Sequence, residues 1–229
     1  MRLRAVLFDA GNTLVFLDYS RMAAAVSAAL GIPLTAEDLA AGSAEASRAM
    51  ETARGADRER AAAYLETLFR VAGVPAERME AVRACLTRLH LERHLWSSVA
   101  GDTRETLARL KAAGLRLGVV SNSDGRVEAA LEAAGLLQYF DVVLDSALVG
   151  VEKPDPAIFR AALEALGVRP DEALHVGDLY EVDVVGARAA GIEAVLLCSA
   201  AESPDHRCRT IRSLALLADD LLSGDRAAS

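Results

Sequence analysis

Aromatic residues are scarce in this chain, 4% of 229 positions. That leaves few of the rings that stabilise the strands of an all-β sandwich. Alanine and leucine abound instead, within a hydrophobic share of 52%, a composition suited to close-packed helices and a sizeable core. Cysteine is sparse too: Cys85, Cys198 and Cys208 are widely spaced and form no CxxC pair, so neither a disulfide framework nor a thiolate zinc site is indicated. Positive charge is in deficit, with 25 Lys and Arg against 33 Asp and Glu for a net charge of −8. With no basic cluster, nucleic acid is not an expected partner. Long apolar runs are missing as well. The opening Met1-Arg2-Leu3-Arg4-Ala5-Val6-Leu7-Phe8 reaches Asp9 too soon to be a signal peptide or membrane span, so the chain is expected in the cytoplasm, without a membrane partner. No internal repeat replaces these missing features.

What is present is an alternation. Leu3 to Phe8 is a short apolar run that ends at Asp9-Ala10-Gly11-Asn12, the pattern of a buried strand entering a turn. From about Ser20 to Arg93 the pattern is helical, in roughly four segments broken near Gly31-Ile32-Pro33, Gly55 and Gly73-Val74-Pro75. After Trp96, strand-like runs at 115–120, 142–144, 173–176 and 194–197 alternate with helical ones near 127–134 and 156–166. Alternation of this kind builds βαβ units and a parallel sheet. The expected fold is α/β: a doubly wound, Rossmann-like parallel-sheet core from residues 1–16 and 97–229, with an all-helical cap inserted as residues 17–96.

Polar residues stand directly after the predicted strands, where such a sheet gathers its functional groups. They are Asp9, Ser121 with Asn122, Lys153, and Asp178 with Asp183. Asp and Ser also cap helices and make turns, so none of them is diagnostic alone. Together they compose a phosphoryl-transfer site. Asp9 is a carboxylate able to attack phosphorus. The paired acids Asp178 and Asp183 need a cation to offset their repulsion, and oxygen-only ligation suits Mg²⁺. Lys153 supplies a compact positive charge, while Ser121 and Asn122 offer donors to phosphoryl oxygens.

In order and spacing these residues resemble the haloacid dehalogenase-like hydrolase superfamily. The likeness runs through Phe8-Asp9-Ala10-Gly11-Asn12-Thr13-Leu14, Val120-Ser121-Asn122-Ser123, Val151-Glu152-Lys153-Pro154-Asp155-Pro156, and His175-Val176-Gly177-Asp178-Leu179-Tyr180-Glu181-Val182-Asp183, and continues to Gly191. It implies the subfamily with a helical cap between the first two motifs and a Mg²⁺-dependent phosphatase with Asp9 as nucleophile. Asp9, the Gly11 carbonyl, Asp178 and Asp183 (direct or through water) are then implied around the metal. The implied substrate is a small phosphorylated metabolite chosen by the cap, and the chain is expected to be a monomer or homodimer. Arg21, Arg48, Arg54 and Arg58 of the cap are cations in reach of a substrate by this reading, although a solvated helix face also explains each.

One position departs from the family. Its phosphatases place a second Asp two residues after the nucleophile, as acid for the leaving group and base for water; here that place is Gly11. Loss of a positioned acid/base typically costs about 10²- to 10⁴-fold in rate. The alternative expectation is therefore a catalytically weak protein that binds Mg²⁺ and a phosphorylated ligand or partner. Dehalogenase and phosphonate hydrolase readings also lack the second Asp, but the first does not generally keep both Asp178 and Asp183, and the second needs a cap lysine that residues 17–96 do not contain. His175 and Tyr180 are possible proton carriers, with a core imidazole the plainer account of His175. Thr13 is expected to order the loop.

Overall fold

The computed structural model describes residues 3–53, 55, 57–198 and 208–224. Its contacts divide the chain into two units, Met1–Phe16 with Ser98–Ser229, and Leu17–Ser97.

The first unit forms around the apolar runs. The strands are β1 (Ala5–Phe8), then, beyond the short pair β2 (Phe16–Leu17) and β3 (Trp96–Ser98), β4 (Arg116–Ser121), β5 (Val142–Asp145), β6 (Ala173–Gly177), β7 (Glu193–Leu197) and β8 (Arg209–Ile211). Apart from the β2–β3 pair, they make one six-stranded sheet in the order β5-β4-β1-β6-β7-β8, parallel at every pairing. β1 is buried at all four positions and β6 at all five, as expected of central strands in a Rossmann-like α/β sheet with helices on its faces. Phe8, the last residue of β1, pairs with Val119 on one side and Val176 on the other, so β4 runs two residues and β6 one residue past it in the same direction. Strand order reverses at β1: the chain moves outward through β4 and β5, then returns to β6. Ligands of doubly wound sheets sit beside such a reversal.

The helices of this unit, apart from those before β3, are α6 (Thr103–Ala112), α7 (Val127–Ala133), the single turn α8 (Ser146–Val149), α9 (Pro156–Leu166), α10 (Val185–Ala189) and α11 (Leu214–Gly224). α9 shows how the sequence sets them. The Asp155 carboxylate accepts from Ala157 N–H at 2.9 Å, Pro156 occupies the first turn, and Gly167 ends the helix at φ 61°. Its inner face buries Ile158, Phe159, Ala162, Leu163 and Leu166 against the sheet. Each such side chain contributes about 1.5–3 kcal/mol by burial, and truncating Phe159 to Ala would cost about 3–5 kcal/mol.

The second unit contains α1 (Tyr19–Leu30), α2 (Ala36–Ala41), α3 (Ser43–Thr52), α4 (Asp57–Val71) and α5 (Met79–Glu92). The sequence suggested roughly four helices here; the described residues form five, because the chain also breaks at Gly42. Thr35 starts α2 with a reciprocal capping box, its backbone N–H donating to Asp38 Oδ2 at 2.8 Å and its hydroxyl accepting from Asp38 N–H at 3.2 Å. At the α2–α3 junction a side chain on Gly42 would approach Leu68 O and Val71 Cβ at 3.2 Å, so this break serves close packing. β8 was also not foreseen. Its residues Arg209-Thr210-Ile211 carry one buried apolar side chain, too little to register as an apolar run. No helix among the described residues is long and apolar enough to cross a membrane.

Candidate active site

Asp9 is the first residue beyond β1, and its backbone N–H still donates to Val176 O at 2.8 Å, holding it in line with the sheet. The chain then turns tightly: Ala10 O accepts from Leu14 and Val15 N–H, both at 2.9 Å, and Asn12 N–H donates to Val15 O at 2.8 Å. Asn12 takes positive φ, 55°, in the left-handed region that asparagine enters more readily than other non-glycine residues. Thr13 is buried in this loop, its hydroxyl without a hydrogen-bond partner among the described residues.

Lys153, 2% exposed, precedes the α9 cap and reaches this loop. Its ammonium donates to Asp9 Oδ1 at 2.6 Å and Asp183 Oδ1 at 2.7 Å. A buried cation this close to two carboxylates forms an ion pair whose loss is costly, since removing one partner strands the other. Lys153 is itself held from behind. Asn122 accepts from Lys153 N–H at 2.8 Å and donates from Nδ2 to Lys153 O at 3.0 Å. These two bonds take the amide oxygen and one N–H of Asn122 and leave the second N–H, the donor expected for a phosphoryl oxygen. Ser121 ends β4 buried, with a weak contact of 3.5 Å from its hydroxyl to Asn122 O.

Asp183 reaches the cluster by an unusual route. After β6 the chain makes a π-helical turn, Tyr180–Val184, a form often found at functional sites. This swings Asp183 back over the strand end, where Oδ2 accepts from Leu179 N–H at 3.1 Å and Oδ1 lies 3.0 Å from His175 Nε2 as well as near Lys153. His175 is a core imidazole, fully buried and edge-on to Phe159 at 4.9 Å between ring centroids. Tyr180 packs against the apolar cluster beneath the sheet. Asp178 stays partly exposed and accepts from Asn12 Nδ2 at 3.3 Å. Donor oxygens of Asp9, Asp178 and Asp183 lie within 4.8 Å of one another.

Three carboxylates against one ammonium leave an excess of negative charge, and protonation reflects it. Burial pushes Asp9 up to about 7, with Lys153 opposing and Asp183 adding to the rise. Burial, then the charges of Asp9 and Asp183, raise Asp178 well above the usual carboxylate range. Burial would lift Asp183 too, but the Lys153 charge and the His175 bond hold it well below. Burial also lowers His175, keeping it neutral. Lys153 goes up despite burial, because Asp183 and Asp9 favour its charged form. Two acids that resist ionisation, Asp9 buried and Asp178 half-buried, beside a third that is ionised make an oxygen-lined cluster suited to a hard divalent cation.

A family model for haloacid dehalogenase-like hydrolases matches residues 3–191. The chain belongs to that family. Among curated relatives, haloacid dehalogenase-like hydrolase domain-containing protein 3 of Mus musculus is 43% identical over 130 residues, which are 56% of this chain and 51% of that one. The phosphoserine phosphatase of Thermus thermophilus is 47% identical over 90 residues, 39% of this chain and 36% of that one. The chain thus spans about half or less of the curated relatives it matches. Of solved structures, a haloacid dehalogenase-family phosphatase from Thermococcus onnurineus has 28% identity and a TM-score of 0.61, covering 96% of this chain and 98% of that one.

Two residues that shape this site carry no motif. Asp145 is the last residue of β5, as Asp9 is the first beyond β1, and its buried carboxylate accepts from Gly125 and Ala147 N–H at 3.0 Å and from Val127 N–H at 3.1 Å. It thereby shapes the loop that follows Ser121 and Asn122. An Asp closing a predicted strand was the available signal. The other is Gly186 in α10, where a Cβ would meet Pro154 Cα at 2.9 Å; its bareness lets α10 pack on the loop carrying Lys153. Of Arg21, Arg48, Arg54 and Arg58 in the second unit, Arg21 is engaged structurally. Its guanidinium donates to Leu89 O at 2.5 Å, Arg93 O at 2.9 Å and His94 O at 3.3 Å, closing the C-terminal end of α5. Arg48 and Arg58 are exposed, and Arg54 lies outside the described residues.

Proposed function

We propose that this chain is a Mg²⁺-dependent phosphatase acting through an aspartyl-phosphate on Asp9, with a small phosphorylated metabolite as substrate. The observation that carries this reading is the Lys153 ammonium, buried between Asp9 and Asp183 while Asp178 completes an acidic triad. A scaffold has no need of so costly a buried arrangement. Asp9, Asp178 and Asp183, directly or through water, with the Gly11 carbonyl, hold the cation. When bound, Mg²⁺ neutralises this charge and polarises phosphoryl oxygens, as is general for phosphoryl transfer.

The residues then divide the work. Lys153 bonds one oxygen of Asp9, fixes its rotamer and leaves the other free to attack phosphorus. A new Asp9 O–P bond forms as the bond to the leaving oxygen breaks, and that oxygen departs with the electron pair. Lys153 and the Ser121 hydroxyl stabilise charge on the transferred group. Water then attacks phosphorus, releasing inorganic phosphate and restoring the Asp9 carboxylate. Gly11 supplies no proton, and the hidden His175 cannot take over, so the best substrates carry leaving groups that depart unassisted, such as acyl or aryl phosphates.

The same two observations favour a second reading, in which the chain binds Mg²⁺ and a phosphorylated ligand or partner without useful turnover. Turnover of para-nitrophenyl phosphate and acetyl phosphate, with and without Mg²⁺, separates the two. Metal-dependent hydrolysis that Asp9→Asn abolishes supports the phosphatase; inertness with Mg²⁺ binding intact supports the second. Undiminished hydrolysis by Asp9→Asn removes the nucleophile assignment.

A further inference from the structure

The tight loop after Asp9 holds a residue that the steps above do not use. Asn12 is the only non-glycine residue with positive φ among those described. Glycine meets that backbone requirement without steric cost, so an asparagine there suggests work for its side chain; the inference runs from the observed outlier to a function. That side chain crosses to the end of another strand, where Nδ2 donates to Asp178 Oδ2 at 3.3 Å. Among the described residues Lys153 hydrogen-bonds Asp9 and Asp183 rather than Asp178. The carboxylates of Asp9 and Asp183 crowd Asp178 and repel it. A neutral amide donor is what such a carboxylate can accept without altering the charge of the cluster: it fixes one oxygen and leaves the other for a cation.

We propose that Asn12 is a positioning residue for the cation site, orienting Asp178 from the same loop that carries Asp9, so that nucleophile and distal acid are set in register by one turn of chain. The inference rests on the Mg²⁺ site of the proposed function. It also gives a reason for the strained residue directly after Gly11: the loop lacks a proton donor but keeps an amide that orders the metal's acid.

Asn12→Gly is the discriminating variant, because it retains the backbone conformation and deletes only the amide. Mg²⁺ binding is measured by calorimetry on the full chain, wild type and variant, with the metal-free melting temperature of each recorded in chelator. The expected result is a dissociation constant for Mg²⁺ raised roughly ten- to a hundredfold, with the metal-free melting temperature unchanged. Equal Mg²⁺ affinity in the two proteins overturns the assignment and leaves the phosphatase reading standing. Weaker binding together with a lowered metal-free melting temperature assigns the side chain to holding the loop, and overturns it too. If the wild type itself binds no Mg²⁺, the proposed function falls first and this inference with it.

Discussion

The carboxyl group of Asp183 occupies the space that a side chain on Gly177 would fill: a Cβ there would lie 2.2 Å from Asp183 Cγ. The last residue of β6 is bare so that an acid six positions later can fold back onto the strand end and meet Lys153.

Gly177→Ala should therefore expel Asp183 from its pocket. Overpacking of this kind costs about 1–3 kcal/mol, and the displaced carboxylate leaves His175 and Lys153 each short of a partner. Urea denaturation is expected to show that loss, with Mg²⁺-dependent turnover falling far more than the stability change explains. Wild-type turnover in a folded variant would show that Asp183 need not sit where it does.

Stability of the metal-free protein should decline between pH 6.5 and 8. Asp9, raised to about 7 from an ordinary 3.8, keeps a proton in the folded state that the unfolded chain has already lost, so the stability it contributes disappears as pH climbs through 7. Asp178 acts in the same direction. His175, lowered from 6.5, works oppositely, but its effect is complete once both states are neutral above 6.5. Melting in chelator across this range should give a falling midpoint, and saturating Mg²⁺ should protect increasingly as pH rises. A midpoint that rises across the range in chelator would contradict the protonated acids.

Gly11→Asp should increase turnover if the absent proton donor limits the rate. Up to about 10²-fold is expected for alkyl phosphates, with a smaller gain for acetyl phosphate, whose leaving group needs no help. Parallel kcat/KM measurements on both substrates check the split.

Arg21→Ala should leave KM and kcat unchanged yet destabilise the chain by about 1–3 kcal/mol, because carbonyls at the end of α5 lose a charged donor. A raised KM with unaltered melting would return Arg21 to the substrate.

The parallel sheet was readable because its strands are short apolar runs, each stopping at a polar residue, and a parallel strand buried on both faces needs that composition. The same stops marked Asp9, Ser121 and Asp178; Lys153, expected directly after a strand, instead comes eight residues after β5 ends, beyond the turn α8. What could not be read was how side chains are spent. Asn122 reads as a phosphate donor alone, yet its amide also brackets the backbone of Lys153, 31 residues away. Arg21 looks like a cation for substrate until the end of α5 is seen to lie beside it. Such partners are set by packing between distant segments, which local pattern does not encode. Asp145 is a different case: its signal equalled that of Asp9, but a strand-ending acid that bonds only backbone amides shapes loops.

The burial of Lys153 also makes the protein chemically uneven. Lys111 and Lys153 are its only lysines, and the second is sealed between two carboxylates that hold it protonated. Amine-reactive reagents need an accessible amine; Lys111 is paired with Asp141 but its side chain is 33% exposed against 1% for Lys153, so brief acylation of the native chain should mark Lys111 and pass over Lys153. An acyl group on Lys153 would thus count the molecules in which the acidic cluster had come apart.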